Sequence, residues 1–462
     1  MFGWEFPPHI SGGLGTACYG LTQALHELNV EVLFVIPKLY GDEPSEWISF
    51  INASQVAFDK RKARLFHKDQ EKRSTKKIAW KVREPLVGER TQATTIEVPS
   101  GLVAYRSLSS KKTSSKIEHW NYVLSDIIES PVEERTLSIG GPQKKNEKET
   151  YSFSGSYGAN LLEEVNHYAV IGGEISKAYS FDVIHCHDWM TYQAGIAAKQ
   201  VTGKPLVVHI HATEFDRAGE NIDPYIYSIE QQGMQQADQV ITVSLWTKKI
   251  AVERYGIPEE KIQVVHNGVV LKKTIKAFSL PRIGFPIVTF LGRITHQKGP
   301  NFFVEAAQKV LTEFPDAHFI MAGAGDLLPQ IIENVAHLAL SDKFHFTGFL
   351  KGDDVDKVWS MTDVYVMPSV SEPFGITPLE AIQQGVPVII SNQSGVVEVM
   401  PHAIKVDFWD LQALAGSICS VIRHKSLSTS LKKNGAEHLK QITWEKSAKK
   451  IKTLYHGLNK KK

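Results

Sequence analysis

Short runs of β-branched and other apolar residues recur along the chain, and stretches with helical periodicity separate them. The runs are almost continuously apolar rather than alternating, and they cover residues 31–36, 181–186, 206–211, 239–243, 287–291, 318–321, 363–367 and 386–390. Runs of this kind are typical of strands buried on both faces of a parallel sheet. Their alternation with helices predicts βα units, so the expected fold class is α/β.

The apolar runs fall into two groups, and the sequence between them changes character. The first group ends near residues 264–268, after which the chain is irregular and contains proline and lysine. We therefore expect an N-terminal domain over 1–268 and a C-terminal domain over 269–442. The region from about 57 to 157 is rich in charges and turn residues, which indicates an elaboration inserted in the first domain, part strand and part loop. Its basic residues could bind an anionic acceptor or form a solvated face.

The end of the chain predicts one more helix, over 443–462, which we expect to pack back on the N-terminal domain. Thr443 is a suitable N-cap, and one face of the helix would carry Trp444, Ala448, Ile451 and Leu454. The final three lysines could favour an anionic membrane surface or form a solvated terminus. Membrane contact is expected to be weak and peripheral at most.

Composition narrows the class of protein. Of 462 residues, 42% are hydrophobic and 22% are charged, which is ordinary for a globular protein and excludes disorder throughout. The net charge is +2, which argues against nucleic-acid binding. Cys18, Cys186 and Cys419 lie far apart without a C-x-x-C pair, so neither a disulfide framework nor a zinc site is indicated. With no signal-peptide pattern and no membrane-spanning apolar run, a cytoplasmic location is expected.

A glycine-rich loop near the N-terminus contains Gly12, Gly13 and Gly15 and precedes an amphipathic helix. Glycines let backbone amides approach a ligand, and a helix N-terminus favours phosphate. Cys18 stands where the third glycine of a dinucleotide fingerprint would be, and no P-loop lysine follows. The loop is therefore either an anion site or a tight turn without a ligand. A second glycine turn, at 323–326, is expected to be structural.

Two permanent cations, Arg293 and Lys298, follow the strand at 287–291. Ligands of open α/β sheets bind at the carboxyl ends of the strands, and these two side chains could hold the oxygens of a diphosphate without a metal. The alternative is a pair of surface cations.

Two carboxylates, Glu372 and Glu380, flank a turn after a later strand. Carboxylates accept hydrogen bonds from vicinal hydroxyls, which sugars and ribose present. Gly375 and its neighbours would offer amides at the start of the next helix.

Histidines end two strands of the first domain. His209 and His211 share a face of one strand, so a two-histidine metal site was considered. No third ligand is apparent at local spacing, and we therefore expect no metal. His187 and Asp188 end the preceding strand, where a hydrogen-bonded structural histidine is the alternative to a functional one.

Together these motifs resemble the GT-B glycosyltransferases, and within them the family 4 enzymes related to glycogen and starch synthases. The resemblance covers nearly the whole chain outside the inserted region, from the segment at 5–8 and the Gly-Gly-Leu-Gly loop to the Trp444 helix. Its most specific motifs are Gly-Arg and Lys-Gly at 292–299 and the E-x7-E pattern at 372–380. It implies two Rossmann-like, doubly wound parallel-sheet domains that face a central cleft.

The resemblance also implies roles for residues of the C-terminal domain. Arg293 and Lys298 would grip the diphosphate of a sugar nucleotide, and Glu380 would bind the ribose hydroxyls. Glu372 would face the transferred sugar. The phosphates and the sugar would be lined by Phe374, Gly375, Ile376 and Thr377.

In the N-terminal domain, the resemblance implies that Gly12 and Gly13 complete the phosphate cradle. His211 would lie near the 6-hydroxyl and the anomeric centre of the sugar, and Asp188 is an acceptor-side candidate. The implied catalytic set is His211, Glu372, Arg293 and Lys298.

The implied function is a retaining hexosyltransferase that moves a sugar, with glucose favoured, from UDP or ADP to a carbohydrate acceptor such as an α-glucan. The nucleotide sugar is a substrate, so no cofactor and no metal are expected. ADP-glucose-using bacterial synthases carry Lys where this chain has Ile10 and Tyr where it has Glu380, which moves the chain towards the broader family 4. Relatives also have more apolar residues before Phe2, so the first strand is expected to be clipped.

Three alternatives remain open. The chain could be a family 4 transferase acting on a lipid-linked or cell-surface oligosaccharide, or a sugar-nucleotide sensor without turnover. A GT-A enzyme would need a metal-binding D-x-D, and Asp354-Val355-Asp356 fits that pattern but lies in a stretch expected to start a helix. The sequence does not determine the donor base, the donor sugar, the acceptor or the oligomeric state.

Overall fold

The computed structural model describes residues 1–9, 12–59, 148–271, 278 and 284–460, and most of the inserted region predicted over 57–157 lies outside them. The described elements form two α/β lobes. The strands of the N-terminal lobe are β1 Leu33–Ile36, β2 Ser49–Asn52, β3 Ala57–Asp59, β4 Lys148–Thr150, β5 Ile184–His187, β6 Leu206–Ile210, β7 Gln239–Thr242 and β8 Ile262–Val264. Its helices are α1 Gly13–Glu27, α2 Leu161–Ala178, α3 Trp189–Thr202, α4 Glu214–Ala218, α5 Pro224–Gln236 and α6 Leu245–Tyr255.

The C-terminal lobe repeats the same βα plan. Its strands are β9 Ile287–Leu291, β10 His318–Ala322, β11 Phe344–Gly348, β12 Val364–Met367, β13 Val388–Ser391 and β14 Ile404–Val406. Its helices are α7 Pro300–Glu313, α8 Leu328–His337, α9 Asp353–Met361, α10 Thr377–Gln383, α11 Leu411–Arg423 and α12 Lys425–Leu439. A final helix, α13 Trp444–Lys460, follows.

The sheet of the N-terminal lobe is parallel. Strand β2 pairs with β1, and β5, β6, β7 and β8 follow one another in order. Phe2 lies between the two groups, where it bridges to Val35 of β1 and Cys186 of β5 in the parallel sense. One residue therefore occupies the position of a strand between β1 and β5. The short antiparallel pair β3–β4 brackets the inserted region, with Ala57 opposite Thr150.

The sheet of the C-terminal lobe has the strand order β11-β10-β9-β12-β13-β14, and every pairing is parallel. This is the order of a doubly wound fold, in which the topological switch point lies between the first and fourth strands in sequence. Here the switch point lies between β9 and β12. Apolar cores cover both faces of each sheet, as expected for buried parallel strands.

The last helix returns to the N-terminal lobe. Trp444, Ala448, Ile451 and Leu454 are buried together with apolar residues of α1. Lys452 Nζ donates a 2.7 Å hydrogen bond to the carbonyl of Leu28, at the end of α1. The chain therefore passes between the lobes twice, and its two crossings lie side by side at Val269 and Thr443, which form a parallel bridge.

The strands predicted from the continuous apolar runs are all present, with ends shifted by three residues at most. The sequence missed β2, β8, β11 and β14, which are the edge strands of the two sheets, and the isolated pair β3–β4. An edge strand has a neighbour on one side only, so it need not be apolar throughout. In β11 the burial alternates along the strand, in contrast to the fully buried central strands.

Candidate functional site

The two loops that carry the predicted cations and carboxylates leave the sheet at its switch point. Arg293 and Lys298 follow β9, while Glu372 and Glu380 follow β12, and these two strands are paired in the sheet. Because the strands are parallel, both loops leave from the same edge. The topology brings together charges that lie far apart in the sequence, at the place where open α/β sheets bind ligands.

Lys298 and Glu372 form an ion pair between these loops, through Nζ and Oε2. The Glu372 side chain is 8% exposed and that of Lys298 is 20% exposed. Ser369 Oγ lies 3.4 Å from the same carboxylate oxygen. Gly299 allows this approach, because it is left-handed (φ +66°) and a Cβ there would lie 2.1 Å from the carbonyl oxygen of Pro368.

Arg293 is held through Gln297, a residue that the sequence analysis did not identify. Arg293 Nη2 donates a 3.1 Å hydrogen bond to Gln297 Oε1. The carbonyl of Gln297, a buried residue, accepts from the amide of Val370 at 2.9 Å. Gln297 therefore ties the cation to the loop that carries Glu372.

The turn between the two carboxylates wraps around a left-handed glycine, Gly375 (φ +99°). A Cβ at Gly375 would lie 3.2 Å from Glu372 Cγ, so the turn keeps the carboxylate side chain close to the backbone. Thr377 begins α10, and its side chain hydrogen-bonds Tyr365 of β12. Burial, together with the charges of Glu372 and Glu380, raises the pKa of Tyr365. Both carboxylates therefore disfavour ionisation of this one buried phenol beneath the site.

Two residues of this turn are placed differently from the expectation that they line the ligand. The ring of Phe374 is 2% exposed and belongs to the apolar core, so its side chain supports the turn from below. Ile376 is half-buried and packs against the cores of both lobes. It therefore joins α10 to the lobe that contains α1.

Gly12 and Gly13 begin α1 on the opposite lobe, with Gly12 as the N-cap in an extended conformation. No atom of the described residues would lie within 4 Å of a Cβ at either position. Glu5, which is buried, accepts a 3.0 Å hydrogen bond from the amide of Gly15 through Oε1. One amide of this helix start is thus already paired with a carboxylate.

Asp188, the acceptor-side candidate, anchors the loop that carries His211. Asp188 is 6% exposed, and its Oδ1 accepts from the amides of His211 at 2.7 Å and Ala212 at 3.2 Å. Burial raises the pKa of Asp188 to about 6, against the opposing effects of Arg217 and the two amides. We therefore assign it a positioning role.

His211 itself follows β6 and is half-buried. Its Nε2 lies 3.0 Å from Nδ1 of His187. Burial lowers the pKa of His211 to about 3, so the imidazole is neutral at physiological pH. A neutral ring can hydrogen-bond a sugar hydroxyl but adds no positive charge to the site.

Direct contacts join the lobes beside Glu372. Ser371 Oγ donates to Asp216 Oδ1 at 2.6 Å, and Trp246 Nε1 donates to Ser371 Oγ at 3.3 Å. Ser244 Oγ donates to the carbonyl of Pro373 at 2.5 Å. The turn after β12 is therefore braced by α4 and α6 of the N-terminal lobe. The sequence analysis missed these residues, although the Thr213-x-x-Asp216 capping box could have been recognised.

A second brace is formed by Glu398, which precedes β14 along the chain. Its carboxylate accepts from the amides of Leu245 at 2.9 Å and Trp246 at 3.0 Å, at the N-terminus of α6. His266 Nε2 lies 2.7 Å from the same carboxylate. These hydrogen bonds lower the pKa of Glu398 against the effect of burial, so the carboxylate is ionised and favours the helix N-terminus.

Two other sequence expectations concern cation sites. Asp354 and Asp356 lie in the first turn of α9, where Asp354 pairs with Lys357 and Asp356 accepts from Gln384, so both carboxylates already have protein partners. The sequence offered no third ligand at local spacing for His209 and His211, and the structure places His185 and His187 of the neighbouring strand beside His209. The three cysteines are free and buried. None of the helices in the described part of the chain has the length and hydropathy needed to span a bilayer.

Three family models match successive parts of the chain. The model of the starch synthase catalytic domain matches residues 1–86, that of Glycosyltransferase Family 4 matches 170–273, and that of Glycosyl transferases group 1 matches 272–438. The last of these includes every predicted site residue of the C-terminal lobe.

Two curated relatives support the same grouping. An uncharacterized glycosyltransferase from Methanocaldococcus jannaschii is 35% identical over 238 residues, which are 48% of this chain and 61% of the relative. A glycogen synthase from Mycobacterium tuberculosis is 26% identical over 253 residues, which are 53% of this chain and 61% of the relative. The chain thus spans about three fifths of the length of these relatives.

Among solved structures, a TarM variant from S. aureus, in complex with fondaparinux, alpha-GlcNAc-glycerol and UDP, matches the whole fold. Its TM-score is 0.63 at 12% identity, and the match covers 98% of this chain and 99% of that chain. The predicted GT-B fold, with two Rossmann-like domains, is therefore confirmed. Successive parts of the chain thus match glycosyltransferase family models, and the chain is similar to family 4 glycosyltransferases and to glycogen synthases.

Proposed function

We propose that the protein is a retaining glycosyltransferase that moves a hexose, with glucose favoured, from a nucleoside diphosphate sugar to a carbohydrate acceptor. The observation that carries the proposal is the convergence of Arg293, Lys298 and Glu372 at the switch point of the C-terminal sheet. The N-terminal lobe meets this point through Asp216, five residues after His211. Such an arrangement provides fixed cations for a diphosphate and hydrogen-bonding groups for a sugar.

Arg293 and Lys298 supply the charge that the reaction needs. As the bond between the anomeric carbon and the phosphate oxygen breaks, negative charge develops on the departing diphosphate. A preorganised donor or cation at that position lowers a barrier by about 3–4 kcal/mol. Because two permanent positive charges serve this purpose, the transfer requires no metal ion and no cofactor.

The ion pair between Lys298 and Glu372 has a clear role before the donor binds. Glu372 is almost fully buried, and an unpaired buried carboxylate is strongly unfavourable. When a diphosphate binds Lys298, the carboxylate of Glu372 can turn to accept hydrogen bonds from hydroxyls of the transferred sugar. Donor binding thus gives Lys298 and Glu372 new partners, so neither charge is left buried without one.

The acceptor oxygen forms the new bond to the anomeric carbon on the face that the diphosphate leaves. The proton of the acceptor hydroxyl passes to an oxygen of the leaving phosphate, so configuration is retained and charge is balanced. The neutral His211 would hydrogen-bond the sugar during this step without changing its charge. Bracing of the lobes through Ser371 and Asp216 would exclude water and limit hydrolysis of the donor.

The relatives support the choice of substrates. TarM, which shares the fold, was solved with UDP, and the mycobacterial relative is named as a glycogen synthase. UDP-glucose or ADP-glucose and an α-glucan are therefore the first donor and acceptor to test. The unpaired buried cysteines support a reducing compartment such as the cytoplasm as the place of the reaction.

The test is a donor and acceptor panel with the purified full chain. UDP-glucose, ADP-glucose and other nucleotide hexoses are incubated with glycogen or maltooligosaccharides, and released nucleoside diphosphate is measured with and without acceptor. The proposal expects acceptor-dependent release and an α-linked product from an α-linked donor. Donor binding without release from any donor and acceptor pair would favour a sensor, and an inverted product would contradict the retaining mechanism.

A further inference from the structure

Four histidines form a compact array on one face of the N-terminal sheet. His185 and His187 alternate along β5, while His209 lies in β6 and His211 follows it, and the register places His187 opposite His209. The centroids of the His185 and His187 rings are 4.5 Å apart, and those of His187 and His209 are 5.5 Å apart. His185, His187 and His209 are each at most 2% exposed.

The hydrogen bonds of the array do not satisfy all its ring nitrogens. His185 Nε2 lies 3.3 Å from His209 Nδ1, and His187 Nδ1 lies 3.0 Å from His211 Nε2. His185 Nδ1 lies 2.5 Å from Tyr455 Oη of α13. Among the described residues, Nε2 of His187 and Nε2 of His209 have no hydrogen-bond partner, although both atoms are buried.

Unsatisfied nitrogens of this kind need an explanation. A buried polar atom without a partner costs about 1–3 kcal/mol, and here two occur in one cluster. A neutral imidazole has one N–H and one lone pair, so each of the three rings can offer one nitrogen lone pair to a ligand. A lone pair on neutral imidazole is the ligand that zinc and related ions take.

We propose that His185, His187 and His209 form a binding site for a divalent transition-metal ion, with Zn²⁺ as the reference ion. One ring nitrogen from each residue lies within 4.8 Å of those of the other two. Nitrogen ligands at a Zn–N distance of about 2.0–2.1 Å lie about 3.3 Å apart in a tetrahedral site. Nε2 of His185 and Nδ1 of His209 already have this 3.3 Å separation, and the unpartnered Nε2 of His187 would be the third ligand atom.

Tyr455 fits the role of an outer partner in such a site. Metal-bound histidines almost always hydrogen-bond through their second ring nitrogen, which fixes the ring and its tautomer. The contact of Tyr455 Oη with His185 Nδ1 directs Nε2 of that ring towards His209. Because Tyr455 belongs to α13, a bound ion would stabilise the packing of the last helix on the N-terminal sheet.

The ion would also fix the orientation of His211, which shares a hydrogen bond with His187. The site is therefore a structural and positioning site, separate from the diphosphate chemistry of Arg293 and Lys298. It does not depend on the proposed function, because metal content can be measured without any substrate.

The test measures metal binding by the full chain. The purified protein is stripped with a chelator, reconstituted with Zn²⁺, freed of loose metal and analysed for zinc; a parallel sample receives Co²⁺ for its visible ligand-field spectrum. We expect about one tightly bound ion per chain and the visible bands of a four-coordinate site with three histidine nitrogens. Tyr455→Phe should weaken Zn²⁺ binding about 10- to 100-fold.

Matched variants distinguish this site from other metal-binding groups. His209→Gln should remove the tightly bound zinc and the cobalt bands. The control is His9→Gln, because His9, Asp42 and Glu43 form an exposed group that could also hold an ion; this variant should bind like the wild type. Zinc lost in His9→Gln but kept in His209→Gln would overturn the proposal.

A second measurement covers the case in which His209→Gln does not fold. Ligands that bind the native state raise the melting temperature in a concentration-dependent way. Zn²⁺ should therefore raise the Tm of the stripped wild type and of His9→Gln alike. A wild-type chain that retains no zinc and whose Tm does not respond to Zn²⁺ would also overturn the proposal.

Discussion

Ser371 Oγ donates a 2.6 Å hydrogen bond to Asp216 Oδ1, which joins the two lobes at the residue next to Glu372. A capping box fixes the orientation of the Asp216 side chain. Its Oδ2 accepts hydrogen bonds from the amide and the hydroxyl of Thr213, each at 2.8 Å. A residue of the N-terminal lobe therefore fixes the loop that carries the proposed sugar-facing carboxylate. The contact between the lobes thus also positions the loop of Glu372.

Removing this hydrogen bond should lower turnover more than donor affinity. A hydrogen bond to a charged group contributes about 1.5–3 kcal/mol, so Ser371→Ala and Asp216→Asn should each reduce kcat about tenfold or more. Steady-state kinetics of the two variants and their double mutant would check this. The double mutant should be little worse than either single mutant, because both remove one contact. Ser360→Ala, at an exposed hydroxyl on α9, is the control; additive losses would contradict the coupling.

Lys298→Ala should reduce turnover by about 100-fold or more, because it removes one of the two charges proposed to stabilise the leaving diphosphate. The variant should also melt at a lower temperature, since Glu372 then loses its ion-pair partner. In Lys298→Ala/Glu372→Gln the Tm should recover while turnover stays low. Lys357→Ala, at an exposed cation of α9, should leave kcat unchanged. Normal kinetics in a folded Lys298→Ala variant would remove Lys298 from the mechanism.

Glu380→Gln should raise the KM for the donor about tenfold with a smaller change in kcat, because the expected charged hydrogen bond to the ribose would be lost. The decisive comparison uses a donor whose ribose lacks the 2′- and 3′-hydroxyls. Wild type and variant should bind that analogue equally, whereas an undiminished difference would show that Glu380 acts elsewhere. Glu437→Gln, at an exposed ion pair of α12, is the matched control.

Stability should depend on pH through a buried group of three charges. Glu214 and Glu230 share the guanidinium of Arg217, and burial raises the pKa of Glu230 from 4.5 to about 7. The native state then binds this proton more tightly than the unfolded state, so the free energy of unfolding falls as pH rises from about 4.5 to about 7. Glu230→Gln should lose this component. Denaturant titrations from pH 5 to pH 8 should show a shallower fall for the variant, and parallel curves would refute the assignment.

Gly323→Ala should destabilise the C-terminal lobe by several kcal/mol. Gly323 has φ +148°, and a Cβ there would lie 1.8 Å from the carbonyl oxygen of Gly292, next to Arg293. The control is Gly416→Ala in α11, where a Cβ would meet nothing within 4 Å and the variant should be more stable by about 0.5–1 kcal/mol. Thermal and denaturant unfolding would distinguish the two. A Gly323→Ala variant as stable as the wild type would mean that the loops after β9 and β10 do not abut.

The strands that the sequence predicted correctly are the central strands, which are covered on both faces of the sheet. The central strands are buried along nearly their whole length because they have neighbours on every side, so the mostly apolar β9 and β12 could be recognised from the sequence. The edge strands β2, β8, β11 and β14 carry no such pattern, since their pairing depends on strands distant in the sequence.

The same distinction holds for the site. Local motifs around Arg293, Lys298 and Glu372 pointed to a diphosphate and a sugar, because the spacing of charges after a strand is a property of the sequence. The partnership of Asp216 with Ser371 spans 155 residues and could not be seen there. For Asp188, the sequence showed the motif but not the direction of the side chain. Only the folded structure shows that its carboxylate accepts hydrogen bonds from backbone amides.

The sequence by itself determined the parallel α/β class, the glycine and cation motifs, and the resemblance to family 4 glycosyltransferases, because each of these is encoded in neighbouring residues. Tertiary structure alone decided which charges meet, which aromatic side chains are buried and which histidines cluster. The physical reason is that parallel strands bring together residues whose separation along the chain is unrelated to their distance in the folded sheet. His185 and His209 lie on adjacent strands with a helix between them in sequence, so no local pattern could pair them.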